Sequence, residues 1–385
     1  MNLKNYSAQF WLLCLSSSFF FGSFNMIVPE LPEFLTALGG AGYKGLIISL
    51  FTLTAMISRP FSGRLADRIG RIPIMVFGAI VCLVCSFLYP LLTSLYGFFL
   101  LRLFHGFSTG FTPTGFTAYV ADIVPSERRG EAMGLLSTFS TIGMASSPAI
   151  GGWVASRYSL EAMFYCSSFF GLLALLVFAS MRETLPEKEK FHPRHLNISL
   201  PDLFEPSVMV PFIIMILSSY SFGVMLTLVP DVSQQMGMMN KGLIFTGFTL
   251  ASVAVRIIAG RLSDRHGRRL VLKFSTALMS ISMLVIGMAT TKLMLWTGGI
   301  LFGMAYGMNS PTLFAWVVDL SNPHNRGKAF ATLYIALELG IGLGAIISGF
   351  TYANNADNFI IAFGTSSALA VLALLFVILK RSPHE

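Results

Sequence analysis

Few side chains in this 385-residue sequence can do chemistry, because few are charged: 26 are Lys or Arg and 18 are Asp or Glu, or 11% of the chain. Two of them stand out by position. Glu338 falls about ten residues into an apolar run, or about 15 Å along a helix rising 1.5 Å per residue. Arg102 falls inside another apolar run, with His105 three residues on, where the two can share a helix face. An ionisable group in an apolar medium is costly and is a functional candidate by default. A carboxyl such as Glu338 can alternate between neutral and charged as its surroundings dry and wet, carrying a proton or pairing a cation. Arg102 and His105 can join that transfer, or clamp backbone carbonyls and pack.

Other chemistry is missing from the pattern. Cys14, Cys82, Cys85 and Cys166 lie in apolar runs and read as small packing residues. Cys82 and Cys85 are one turn apart, without the further ligands that a metal site requires, so no metal is expected. No nucleophile–base pair and no GxxxxGK[ST] loop is present, which argues against an enzyme and against ATP as the energy source. No cofactor is expected.

The elements that position these residues follow from composition. The chain is 54% hydrophobic with 35 Phe, and 11% charge compares with about 25% for a soluble chain. That excludes disorder and makes lipid the expected solvent. About 20 apolar residues cross a bilayer. Such runs lie near 9–28, 44–63, 73–92, 95–120, 131–153, 161–180, 208–229, 243–261, 270–290, 294–317, 328–350 and 358–379. The expected fold is all-α, with twelve transmembrane helices. The first run is longer than the h-region of a signal peptide and reads as a retained helix. Arg59 and Arg256 fall in final turns, where basic side chains snorkel.

Lys and Arg set orientation. With the N-terminus cytoplasmic, Lys44, Arg157, Lys241 and Lys292 alone lie outside and Arg102 lies within a span; the others of the 26 fall inside. Both termini are therefore expected in the cytoplasm. The formal charge of +8 is a topological signal rather than a nucleic-acid footprint. A polar, proline-rich linker, 181–207, separates bundles at 1–180 and 208–385.

The two bundles repeat. A shift of 197 residues lays Gly63–Arg71 (GRLADRIGR) on Gly260–Arg268 (GRLSDRHGR), Arg59 on Arg256, Gly106 and Gly110 on Gly303 and Gly307, Asp122 on Asp319, and Gly143 on Gly340. The offset is constant and ungapped. Parallel six-helix repeats that rock about a central site are the plan of a carrier with alternating access.

At these residues the sequence resembles the major facilitator superfamily, over nearly its whole length. The resemblance rests on the loop motif of Gly63, Asp67, Arg68 and Arg71, and on its second copy, Gly260, Asp264, Arg265 and Arg268. It implies two pseudo-symmetric six-helix halves, a monomer, and a conformational latch at these loops. Gly63 is expected to allow close helix approach, and Asp67 to sit at the start of the next helix, at the positive end of its dipole. Arg102 and His105 resemble the arginine motif that the family's proton-coupled members carry on helix 4. Gly143, Pro148, Gly151 and Gly152 resemble the antiporter motif of helix 5, with Ser147 where a second Gly is usual. The helix 1 text around Pro29 and Pro32 resembles drug–proton antiporters, with Asn25 where those often carry Asp. Glu30 and Glu33 are expected at the outer end, within reach of water.

The resemblance places the substrate cavity where helices 1, 4, 7 and 10 meet, lined by Phe21, Asn25, Thr109, Tyr220, Phe222, Tyr306 and Asn309, with Arg102 and His105. It implies a secondary carrier driven by a proton gradient, exporting small amphipathic or hydrophobic molecules such as drugs across the cytoplasmic membrane. Uptake of a polar metabolite by proton symport would call for a more polar cavity. A membrane sensor on the same fold would not need both latch loops.

Overall fold

A computed structural model describes residues 6–125, 128–196, 204–321 and 326–379. Among them every regular element is helical. The α-helices are α1 (Ala8–Ile27), a short α2 (Leu31–Ala37), α3 (Gly45–Ile69), α4 (Arg71–Leu88), α5 (Leu95–Ile123), α6 (Arg129–Arg157), α7 (Leu160–Ser180), α8 (Met209–Gln235), α9 (Gly242–His266), α10 (Arg268–Gly287), α11 (Lys292–Leu320), α12 (Arg326–Tyr352) and α13 (Phe359–Leu379).

Eight helices among the described residues are long and apolar enough to cross a membrane, and nine if α9, bent by 42° between Gly242–Arg256 and Ile258–His266, counts as one span. The twelve expected spans exceed what length and apolarity alone single out. The difference lies in α5, α6 and α11, which Gly, Ser and Thr dilute. Large apolar side chains such as Leu100, Phe104, Trp153, Phe169 and Phe274 are more than half exposed. That surface suits hydrocarbon rather than water.

Local chemistry sets the ends. Ser7, Ser94, Ser159 and Thr291 cap α1, α5, α7 and α11, each hydroxyl accepting from the backbone N–H three residues on. Ser94 and Thr291 are equivalent under the repeat. So are Gly70 (φ 123°) and Gly267 (φ 88°), whose positive φ turns the chain between α3 and α4 and between α9 and α10. Asp67 therefore lies in the last turn of α3, not at the start of α4. The helix dipole disfavours a carboxylate there, so its place must be secured by a cation.

By packing, the chain divides into two compact units: Met1–Glu30 with Thr54–Ser199, and Leu31–Leu53 with Leu200–Glu385. The stretch Leu31–Leu53 groups with the second unit although it lies within 1–180. In the first unit α1 packs on α6 and α7, and α4 on α5 and α7. In the second, α8 packs on α12 and α13, and α10 on α11 and α13. These are the same partnerships shifted by the repeat.

Glycine lets the backbones touch. A Cβ added at Gly143 would overlap the carbonyl of Ser18, and one at Gly151 that of Met26, so two of the three helix 5 motif glycines seat α6 against α1. Pro148 lies within α6 without ending it, and Ser147 is fully buried. Gly340 and Gly344 play the same part between α12 and α8. Gly63 does not: an added Cβ would find only Thr114, at 4.0 Å, and Gly260 nothing within 4 Å. The close approaches expected there occur at Gly110, Gly303 and Gly307 instead. Gly143→Val should force α1 and α6 apart at a cost of about 1–3 kcal/mol. A thermal-unfolding scan in detergent should show a lower midpoint, with Gly134→Ala, where an added Cβ meets nothing, close to wild type.

Candidate functional site

In the second unit, Glu338 stands twelve residues past the first residue of α12, about 18 Å along it, and is 7% exposed. Its electrostatic neighbours include a residue on another helix. The hydroxyl of Tyr306, on α11, feels both Arg256, on α9, and Glu338. Arg256 is not a snorkelling residue at a helix end. Its Nε is buried with no hydrogen-bond partner among the described residues. A cation, a phenol and a carboxyl thus share the interior of one bundle, where a low dielectric strengthens their coupling.

An aromatic wall adjoins this group. Phe222 stacks on Tyr306 with centroids 4.7 Å apart, and Phe248 and Phe302 lie 5.7 and 6.4 Å from Phe222. Phe222 and Tyr306 were anticipated; Phe248, on α9, was not. Tyr220 is 4% exposed in the same core. Asn309 is 1% exposed and donates to Ser275 Oγ at 3.2 Å, so its amide is spent on α10.

In the first unit Arg102 and His105 meet through a residue that the sequence reading missed. Arg102 Nη1 donates to Tyr89 Oη (3.2 Å), and that hydroxyl lies 3.3 Å from His105 Nδ1. The chain continues from His105 Nε2 to Cys82 Sγ (3.5 Å) and on to Ser23 Oγ (3.3 Å). Arg102, Tyr89, His105, Cys82 and Ser23 are each at most 2% exposed. Tyr89 follows α4 directly in a short 3-10 turn, and its sequence surroundings carry no sign of the contact. Asn25 Nδ2 donates to its own helix at Phe21 O (2.8 Å), and Thr109 Oγ1 to Gly106 O (3.4 Å). Both polar groups thus bond within their own helices, and Phe21 is half-buried.

The two motif loops form matching ion clusters. Arg71, the first residue of α4, holds Asp67 at 3.1 Å and Asp122 at 3.0 Å. Arg268, the first residue of α10, holds Asp264, and Asp319 at 2.8 Å. Arg268 thus bridges the ends of α9 and α11 as Arg71 bridges α3 and α5. Arg265 is exposed. Arg68 turns the other way, to Glu189 at 2.6 Å, in the segment read as the linker. That segment folds onto the first unit. Glu183 accepts from the N–H groups of Arg71 and Ile72, both at 3.0 Å, capping α4. Glu189 also meets the buried His195 at 2.9 Å. Residues 197–203 of the linker lie outside the described residues.

An all-helical fold of lipid-facing spans, repeated with the same helix partnerships and the same loop clusters, defines a polytopic membrane carrier. The chain belongs to the Major Facilitator Superfamily, whose profile matches residues 13–239 and 211–385. It is similar to the multi-drug resistance efflux pump PmrA of Streptococcus pneumoniae, 28% identical over 94% of this chain and 93% of that one. It is also similar to the staphylopine export protein of Staphylococcus aureus, 27% identical over 79% of each chain. Among solved structures, the human organic anion transporter MFSD10 superposes with a TM-score of 0.73 at 19% identity, over 96% of this chain and 100% of that one. The protein is accordingly a multi-pass membrane transporter.

The linker contact carries a pH prediction. The Arg68 hydrogen bond, aided by His195, holds the Glu189 carboxyl below the usual carboxylate range. Its stabilisation is complete above the unfolded value of about 4.3 and is lost as pH falls through the lower folded value. The Glu189 N–H donates to Arg68 O. Its protection from hydrogen exchange, corrected for intrinsic rate, should hold at pH 5 and fall below about pH 4. Glu189→Gln should show the loss already at neutral pH.

Proposed function

We propose that this protein is a proton-coupled exporter of small amphipathic or hydrophobic compounds, working by alternating access. On this reading it is a monomer in the cytoplasmic membrane, with twelve spans in two pseudo-symmetric halves and both termini inside. The proton gradient is its energy source, and it needs no cofactor.

The observation that carries the reading is Glu338, a nearly buried carboxyl in mid-helix, grouped with Arg256 and Tyr306 beside an aromatic wall. A carboxyl carries a proton in its neutral form and pairs a cation in its charged form. One proton can therefore be exchanged for one turn of the cycle. Phe222, half-buried at the edge of that wall, offers an apolar, shape-tolerant face to such compounds, and the buried Phe248 and Phe302 back it. The efflux and export activities named for the two bacterial relatives support the outward direction. The loop clusters at Arg71 and Arg268 are read as the latch, since each ties two helix ends through ions that can be broken and remade.

Reconstitution in liposomes with an imposed pH gradient tests the reading. Wild type should move an amphipathic dye against its own gradient only when protons flow the opposite way. Glu338→Gln should cut that transport at least tenfold at normal membrane abundance; an unchanged pH dependence in this variant refutes the coupling role. Asp67→Asn should cripple transport without lowering membrane abundance, and full transport would remove the latch. Dye uptake along with the protons would overturn export.

A further inference from the structure

A second polar site lies in the same unit, at the opposite end of α9 from the Asp264–Arg268 loop. Lys44, just before α3, is 6% exposed, and Asp231, near the end of α8, is 5% exposed. They were counted respectively as an outer-loop charge and not at all. Lys44 Nζ donates to Asp231 Oδ1 at 2.7 Å and to Asn354 Oδ1 at 2.9 Å, and stands 5.5 Å from the Tyr352 ring centroid. A carboxylate, an amide oxygen and an aromatic face around one –NH₃⁺ make a complete ammonium receptor.

The receptor is built, not incidental. Asn354 and the preceding Ala353 both have positive φ (56° and 47°), a conformation that costs Ala energy and that here delivers the Asn354 amide. Gly45, next to Lys44, packs so close to α12 that a Cβ on it would overlap the Ala345 carbonyl, and one on Gly349 would overlap Gly45 itself. A second pair, Lys241 with Glu33, borders the site. Glu30, expected in reach of water, is 4% exposed. The site opens on a cavity of about 360 Å³ lined by Lys44, Asp231, Glu33, Gln234, Gln235 and Asn354, with Thr36 and Tyr352.

One valence is left over. Asp231 Oδ2 is buried, and no donor among the described residues reaches it. A buried carboxylate oxygen without a donor is costly. We propose that this cavity is a subsite for a small organic cation with N–H donors, a primary ammonium or a guanidinium, which bonds Asp231 Oδ2. Lys44 is its tethered competitor: it shares the carboxylate while the site is empty and helps to expel the cation by reclaiming it. Binding needs no transport. The role in release rests on the export reading and names organic cations as one substrate class.

The test is binding of propylammonium to the purified full-length protein, read by thermal shift and calorimetry against NaCl of equal ionic strength. Wild type should bind saturably. Lys44→Ala, freed of the competitor, should bind at least tenfold more tightly. Asp231→Asn should not bind. Because that change strands the Lys44 charge and can impair folding, Lys44→Met with Asp231→Asn removes both charges and should also fail to bind. Tetramethylammonium, a cation without N–H donors, should bind neither wild type nor Lys44→Ala. Absence of saturable binding to wild type overturns the subsite, and so does binding that survives either Asp231 change. Equal binding of tetramethylammonium overturns the bond to Oδ2. Unchanged affinity in Lys44→Ala overturns the competitor. None of these outcomes depends on a proton gradient, so a failed export assay and a failed subsite are separable.

Discussion

Helices in hydrocarbon gain little by hiding apolar surface from one another, because lipid tails are as apolar as leucine. What holds them is close contact, and close contact requires the absence of a Cβ. Gly143 and Gly151 bring α6 onto α1, and Gly340 and Gly344 bring α12 onto α8, with carbonyl oxygens in the space a side chain would fill. Everything polar in the interior depends on that approach. Serine hydroxyls that would be costly in lipid reach neighbouring backbones across it: Ser18 to Phe139 O at 2.6 Å, Ser62 to Gly110 O at 2.6 Å. The ionisable groups are held in the same way, in a medium that leaves few alternatives to pairing.

Much of this was legible in the sequence, and the reason is the solvent. Lipid imposes length and apolarity on spans, so hydropathy finds most of the helices without any tertiary information. The repeat was equally plain, because equivalent turns need equivalent residues: Gly70 and Gly267 share a positive φ, and Arg71 and Arg268 share a role. Helix ends were less legible. Asp67 was assigned to the start of a helix and lies at the end of the preceding one, since nothing in the text marks Gly70 rather than Gly63 as the break.

What could not be read was which charges leave water. Lys44 and Lys241 look like ordinary loop lysines, and Arg256 looks like a snorkelling arginine. Lys44 and Lys241 are drawn inward by carboxylates 187 and 208 residues away in sequence, and Arg256 lies within electrostatic reach of Tyr306 on another helix. Tyr89 joins Arg102 to His105 for the same reason: the hydroxyl arrives from a turn that follows another helix. One-dimensional pattern finds a charge that sits within an apolar run, as it found Glu338. It cannot find one that enters from the edge.

The linker makes the two motif loops unequal despite their near-identical sequences. Glu183 closes the first turn of α4, and Glu189 and His195 hold Arg68, whereas an added Cβ at Gly267 would touch nothing. The segment after α7 is thus a structural part of the first bundle, not a tether hung between two. A fragment boundary set before Glu183 would amputate the cap of α4; one set after His195 would keep the first bundle whole. A single cut there still does not part the two compact units, because Leu31–Leu53 groups with the second.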